Sequence, residues 1–154
     1  MIKTLSLALL LGIGYTANAN DIILAKAPIN ISEKTTDAGI DFFHGSWQEA
    51  LSLAQKENKL IFLDAYASWC GPCKMMARTT FKDAEVGKFF NANFINVKMD
   101  MEKHPEGARL SNDLYLTAYP TMYFLNYSEK PIYKTLGYLK AKKLISEGKK
   151  ALAQ

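Results

Sequence analysis

The only two cysteines of the chain stand close together, with Gly71 and Pro72 between Cys70 and Cys73, in the segment Trp69-Cys70-Gly71-Pro72-Cys73-Lys74. A pair at this spacing can supply half of a metal site, close a small structural disulfide, or exchange electrons with another disulfide. A zinc site needs two further ligands. The only histidines, His44 and His104, do not make the usual second half-site, so no metal is expected. A purely structural bridge across so short a loop removes little unfolded-state entropy and adds little stability. Redox exchange is the favoured reading of the pair.

That chemistry depends on where the pair sits. The preceding run Lys59 to Ala67 (KLIFLDAYA) is too short and too apolar for an amphipathic helix and reads as a buried strand. From Trp69 to Lys74 the chain turns into a helix, which puts Cys70 at or just before the first turn. The N–H groups there have no intrahelical partner and the helix dipole is positive, so a thiolate at Cys70 is favoured. The thiolate is the attacking form, and such a position lowers a cysteine pKa below its free value of about 8.5. Cys70 is therefore the expected nucleophile. Cys73, about one turn further on, is the expected resolving thiol, able to attack a mixed disulfide formed at Cys70. Pro72 has its φ already set for a first helical turn.

Asp64 interrupts the apolar strand six residues before Cys70. A carboxyl buried there would have a raised pKa and could exchange a proton with the resolving cysteine. The alternative is an edge or bent position from which the side chain reaches water.

The elements around this segment follow from pattern. Ser46-Trp47-Gln48-Glu49 fits a capping box, and Trp47, Ala50, Leu51 and Ala54 share one face of a helix running to about Glu57. Asp83 caps a helical stretch with Val86, Phe89 and Phe90, and Phe94 to Met99 (FINVKM) reads as a strand. Glu106 to Tyr115 is predicted helical and to end before Tyr119-Pro120. Thr121 to Leu125 and Pro131 to Leu136, joined by the polar turn Asn126 to Lys130, form an antiparallel hairpin. Lys140 to Leu152 is a basic amphipathic helix with Leu144, Ile145 and Leu152 inward and its lysines on a solvated face. The whole is an α/β fold: a central mixed sheet of four to five strands with helices on both faces.

Composition limits the remaining functions. The 154 residues, 49% hydrophobic and 22% charged, suit one ordinary globular domain. A net charge of +4 without a basic tract gives no reason to expect nucleic-acid binding. Residues 1–19 combine Lys3, an apolar stretch of about 10 residues and the small residues Ala17 and Ala19, the layout of a cleaved signal peptide; spanning a bilayer takes about 20. Residues 20–41 read as an arm and 42–154 as the domain, exported to the periplasm or secreted. Met75, Met76, Met99 and Met101 are core fillers rather than metal ligands. Asn30 and Asn126 begin glycosylation sequons that matter only in a eukaryotic secretory pathway.

Taken together, WCGPCK, the acid six positions before it, Tyr119-Pro120-Thr121 at the start of the late strand, and Gly137 resemble the thioredoxin superfamily over about residues 42–152. The segments GSWQEALSLAQKENKLIFLDAYASWCGPCKMM, TTF and EVGKFFNANF are similar to exported bacterial thioredoxin-like proteins. The resemblance implies a thioredoxin fold and a thiol-disulfide oxidoreductase without a cofactor. It also implies a cis Pro120 whose backbone pairs with an extended client segment, and a flat apolar surface around Cys70 formed by Trp69, Gly71, Pro72, Tyr119 and Gly137. Gly-Pro between the cysteines, with no histidine, resembles the reducing members, so a dithiol reductase is expected. Its partners would be disulfide-bearing client proteins and a membrane-bound electron donor, with the chain itself a monomer. An isomerase or oxidase with the same site, or a partner-binding module with idle cysteines, are the alternatives. Where cytosolic thioredoxin has a lysine near the buried acid, this chain aligns Asn96, with Lys98 two residues further on. Coupling of Asp64 to a lysine is left open.

Overall fold

A computed structural model describes residues 39–154 of the chain. The expected signal peptide, nearly all of the arm, and the sequon at Asn30 lie outside the described residues. The elements are α1 (Trp47–Glu57), β1 (Leu60–Tyr66), α2 (Gly71–Arg78), a single 3₁₀ turn (Thr80–Lys82), α3 (Ala84–Asn93), β2 (Phe94–Asp100), α4 (Gly107–Asp113), β3 (Thr121–Leu125), β4 (Pro131–Leu136) and α5 (Ala141–Leu152). Their order matches the order read from the sequence pattern.

The four strands form one mixed sheet in the order β2-β1-β3-β4. β1 runs parallel to β2 and antiparallel to β3, and β3 pairs antiparallel with β4. Burial on both faces explains why β1 reads as an almost unbroken apolar run. Ile61, Leu63 and Ala65 point into the layer holding Trp47, Ala50, Ala54, Leu110 and Leu114 of α1, α4 and the residue after it. Phe62 points the other way, into a cluster with Met76, Val86, Phe90, Phe124 and Leu144 covered by α2, α3 and α5. Four rings of that second layer pack with centroids 4.6 Å (Phe62–Phe90), 5.4 Å (Phe62–Phe124) and 5.2 Å (Phe94–Phe124) apart. Side chains alternate along a strand, so Asp64, two residues after Phe62, belongs to the α2 side of the sheet.

Caps fix the helix starts. Ser46 accepts from the Glu49 N–H at 3.3 Å while its own N–H donates to Glu49 Oε2 at 2.7 Å, the expected capping box of α1. Asp83 Oδ1 accepts from the N–H groups of Glu85 and Val86 at the start of α3. Residues 39–43 are tied to the domain by Ile40 N–H to Phe81 O (2.8 Å) and Phe43 N–H to Asn96 O (2.7 Å).

α4 falls within the expected span of Glu106 to Tyr115 and ends before Tyr119-Pro120, stopped where Tyr115 takes a left-handed φ of 51° and Leu116 N–H closes back on Ser111 O at 2.9 Å. One helix differs from expectation. In α5 the buried residues are Leu144, Glu147, Gly148 and Ala151, and Ile145 packs half-buried against the same layer as expected, whereas Leu152 is 45% exposed. The helical period places 144, 147, 148 and 151 on one side, and α5 approaches α3 so closely that a Cβ on Gly148 would lie 2.7 Å from the Phe89 ring. Buried Glu147 accepts from Lys143 Nζ (2.7 Å), Lys150 Nζ (3.0 Å) and the Tyr133 hydroxyl. Part of the lysine face is therefore bound to an internal carboxylate. Those contacts hold the Glu147 carboxyl down at about 2, with Lys143 the largest contributor and Tyr133 next.

Candidate active site

The sheet delivers the cysteine pair at the end of β1. After Tyr66 the chain leaves the sheet, Cys70 N–H donates to Ala67 O at 3.0 Å, and α2 begins at Gly71 with Cys70 as its N-cap. Cys70 Sγ accepts from the Cys73 N–H at 3.2 Å, so the sulfur stands where a capping oxygen would stand in other helices. Cys70 and Cys73 are joined as a disulfide, with Cα atoms 5.3 Å apart. Both are nearly covered, at 2% and 4% exposure, within a small cluster that includes Ala67 and is flanked by Tyr66 and Tyr119. Gly71 and Pro72 are exposed on the first turn of α2.

The resemblance assigns five neighbours to a surface around Cys70, and several of them meet here. Trp69 is 66% exposed, its ring meets Tyr119 edge-on at 5.8 Å, and Tyr119 packs against the cysteine cluster. The Tyr119–Pro120 peptide bond is cis, and Pro120 O accepts from Gly137 N–H at 2.8 Å. Gly137 has φ +82°, a conformation that L side chains rarely adopt, which accounts for glycine at that turn. A cleft of about 490 Å³ opens beside this surface, lined by Trp69, Ser111, Leu116, Thr117, Ala118 and Tyr119.

Asp64 is 1% exposed, in the middle of an interior strand, so the edge or bent alternative does not hold. Its Oδ1 has no hydrogen-bond partner. Burial pushes the carboxyl up from 3.8 to about 7, while the positive charge of Lys98 acts in the opposite sense. Parallel pairing puts Asp64 opposite Lys98 and Phe62 opposite Asn96. The lysine that faces the acid is therefore Lys98. Asn96 instead holds the segment before α1, donating to Asp41 O (3.3 Å) and Asn91 Oδ1 (3.0 Å).

Beside Cys73 lies a cavity of about 200 Å³, lined by Tyr66, Ala67, Ser68, Cys73, Lys74, Ala77 and Lys98. Lys98 Nζ rests 4.8 Å from the centroid of the Tyr66 ring. Sequence reasoning does not single out Tyr66, nor Glu102, whose Oε2 accepts from Trp69 Nε1 at 2.9 Å. The alternation Asn96, Lys98, Asp100 in FINVKMD carries the signal for Lys98, since all three lie on the face of β2 level with Asp64. No local signal points to Glu102, which reaches Trp69 from 33 residues away.

The described part of the chain resembles known proteins of this architecture. The solution structure of a "putative disulphide-isomerase" from Bacteroides thetaiotaomicron is 40% identical, with a TM-score of 0.66, covering 75% of this chain and 94% of that one. The oxidised C-terminal domain of DsbD from Neisseria meningitidis is 27% identical, with a TM-score of 0.59, covering 72% and 99%. Spermatogenesis-associated protein 20 of Rattus norvegicus is 37% identical over 89 residues, 57% of this chain and 11% of the rat protein. The chain thus spans about a tenth of the length of the first curated relatives it matches. The model of the family Thioredox_DsbH, described as a protein of unknown function, DUF255, matches residues 24–152. With a thioredoxin fold and a WCGPCK motif at the head of α2, the chain belongs to the thioredoxin-like Thioredox_DsbH family.

Proposed function

We propose that the chain is an exported dithiol reductase of protein disulfides. The observation that carries this reading is Cys70 Sγ at the N-cap of α2, accepting the Cys73 N–H at 3.2 Å. When the bridge is reduced, that position favours negative charge on Cys70 over Cys73. The Cys70 thiolate attacks one sulfur of a client disulfide, forms a mixed disulfide, and releases the other client sulfur as a thiolate. Cys73 then gives its proton to the Asp64 carboxylate, directly or through the adjoining cavity, and attacks Cys70 Sγ. That step breaks the mixed disulfide, frees the second client thiolate, and leaves the Cys70–Cys73 bridge. Two electrons pass to the client, and a membrane-bound donor restores the dithiol. A carboxyl at about 7 suits this role, because it is ionised enough to accept the proton and basic enough to hold it.

Trp69, Tyr119 and the backbone of cis Pro120 form the surface that receives the client, beside the Trp69–Tyr119 cleft. Gly71 and Pro72, exposed on the first turn of α2, border that surface, and Gly137 N–H holds the Pro120 carbonyl. Export rests on the pattern of residues 1–19. An isomerase is the second reading, favoured by the 40% identity to the Bacteroides thetaiotaomicron protein.

The deciding experiment equilibrates the protein in glutathione buffers and separates the two redox forms by thiol trapping. A potential of about −270 mV, typical of thioredoxin, supports a reductant; about −180 mV favours the isomerase, and about −120 mV an oxidant.

A further inference from the structure

We infer that Tyr66 is a positioning residue for the buried acid: its ring holds the Lys98 ammonium on the Asp64 side of the sheet. The ring thereby fixes the charge against which Asp64 gives up and regains its proton. The inference rests on the reading of Asp64 as the proton partner of Cys73.

Asp64 and Tyr66 are two residues apart on β1 and share a face, and their partners across the parallel pair are Lys98 and Asp100. Lys98 is the one exposed residue of β2. A lysine head on a flexible four-carbon stem stays in water unless something holds it. Among the described residues Lys98 has no ion-pair partner, and its ammonium instead sits over the Tyr66 ring at 4.8 Å. The ring quadrupole attracts a cation at this range. Tyr66 and Lys98 both line the cavity that reaches Cys73, so the held charge shares that cavity with the resolving sulfur.

The charges around this place can be enumerated. β1 contributes Asp64 and Tyr66, β2 contributes Lys98 and Asp100, and α2 contributes Cys73 and Lys74. β3 sets Met122 opposite Asp64 and adds no charge. Lys98 is the cation that acts on Asp64, opposing the effect of burial. Losing its anchor lets that charge move into solvent, where water screens it. The Asp64 carboxyl then holds its proton to higher pH. The Tyr66 hydroxyl is not needed for this effect, because the ring face alone makes the contact.

The test uses the full chain in its oxidised form, with the Asp64 carboxyl followed by carbon-13 NMR across the pH range. Tyr66→Leu is expected to move the Asp64 midpoint up by about half a pH unit, from the usual strength of an exposed cation–ring contact. Tyr66→Phe keeps the ring and leaves the midpoint at the wild-type value. Lys98→Gln moves it in the same direction as Tyr66→Leu, and adding Tyr66→Leu in that background has no further effect. An unchanged midpoint in Tyr66→Leu, or an equal shift with and without Lys98, overturns the inference. The wild type offers a check that needs no variant: the Lys98 ε-methylene protons must show an upfield ring-current shift, and its absence also overturns it. The pH profile of disulfide reduction is read beside the titration. A midpoint that moves in Tyr66→Leu while the profile stays fixed supports the positioning role and refutes Asp64 as the proton partner of Cys73.

Discussion

Replacing Asp64 by asparagine probes the buried carboxyl with almost no change of shape. The wild-type group titrates at about 7 in the folded protein against 3.8 in the ordinary state, so folding takes up a proton at any pH between these values. The contribution of this group to stability is then highest below pH 3.8, falls as the pH rises toward 7, and levels off above it. The interval of roughly three pH units corresponds to about 4 kcal/mol, at about 1.4 kcal/mol for each. Asparagine stays neutral throughout and escapes this loss. The variant is therefore expected to match the wild type at about pH 4 and to exceed it by about 4 kcal/mol at about pH 8. Urea unfolding of both oxidised proteins at about pH 4, 5.5, 7 and 8 measures the difference, and other titrating groups cancel between them. A difference that stays constant across this range would show that Asp64 ionises normally in the fold, and the assigned proton chemistry would fall with it.

Cys70→Ser should abolish reduction of a model protein disulfide, while Cys73→Ser should accumulate mixed disulfides at Cys70; near-normal turnover in the first, or no trapped species in the second, reassigns the two roles. Gly87→Ala would drive a Cβ into Gly39 O and to 2.7 Å from Gly39 Cα, so a loss of about 1–3 kcal/mol in urea unfolding is expected, and an unchanged midpoint would show that residues 39–43 are not held tightly against α3. Glu147 titrates at about 2 against an ordinary 4.5, so its contribution is present above pH 4.5 and lost as the pH falls toward 2. Glu147→Gln should flatten that acid limb of the stability curve, and an acid limb identical to wild type would contradict the Lys143–Glu147–Lys150 arrangement.

Local pattern carries most of the fold. The capping box at Ser46, the apolar run of β1 and the proline-bounded start of β3 each state their element within a few residues, because each depends on near neighbours. The cysteine pair is legible for the same reason: an N-cap position follows from a strand that ends and a helix that begins. Register is not legible. Nothing in β1 or β2 alone says that Leu60 starts opposite Phe94, and shifting that pairing by two residues is what exchanges Lys98 for Asn96 beside the acid. Hydrophobicity alone places Leu152 inward, but its angle on α5 turns it outward, whereas Glu147 lies at the inward angle and satisfies its carboxylate with three partners.

Asp64 and Glu147, both buried acids, separate structural from chemical use of the same group. Glu147 is enclosed with two ammonium groups and a hydroxyl directed at it, and its proton affinity is driven down. A carboxylate so satisfied stays ionised across the working pH range and moves no proton. Asp64 is enclosed with an unpartnered Oδ1 and a cation acting from across the strand pair, and its proton affinity is driven up to the middle of that range. Such a group destabilises the fold at neutral pH, and a leucine or methionine would fill an interior strand better. A polar group held at a cost, close to neutrality, and on the face of the sheet that carries α2 and its disulfide, has no reason in packing and is what the proposed proton transfer requires.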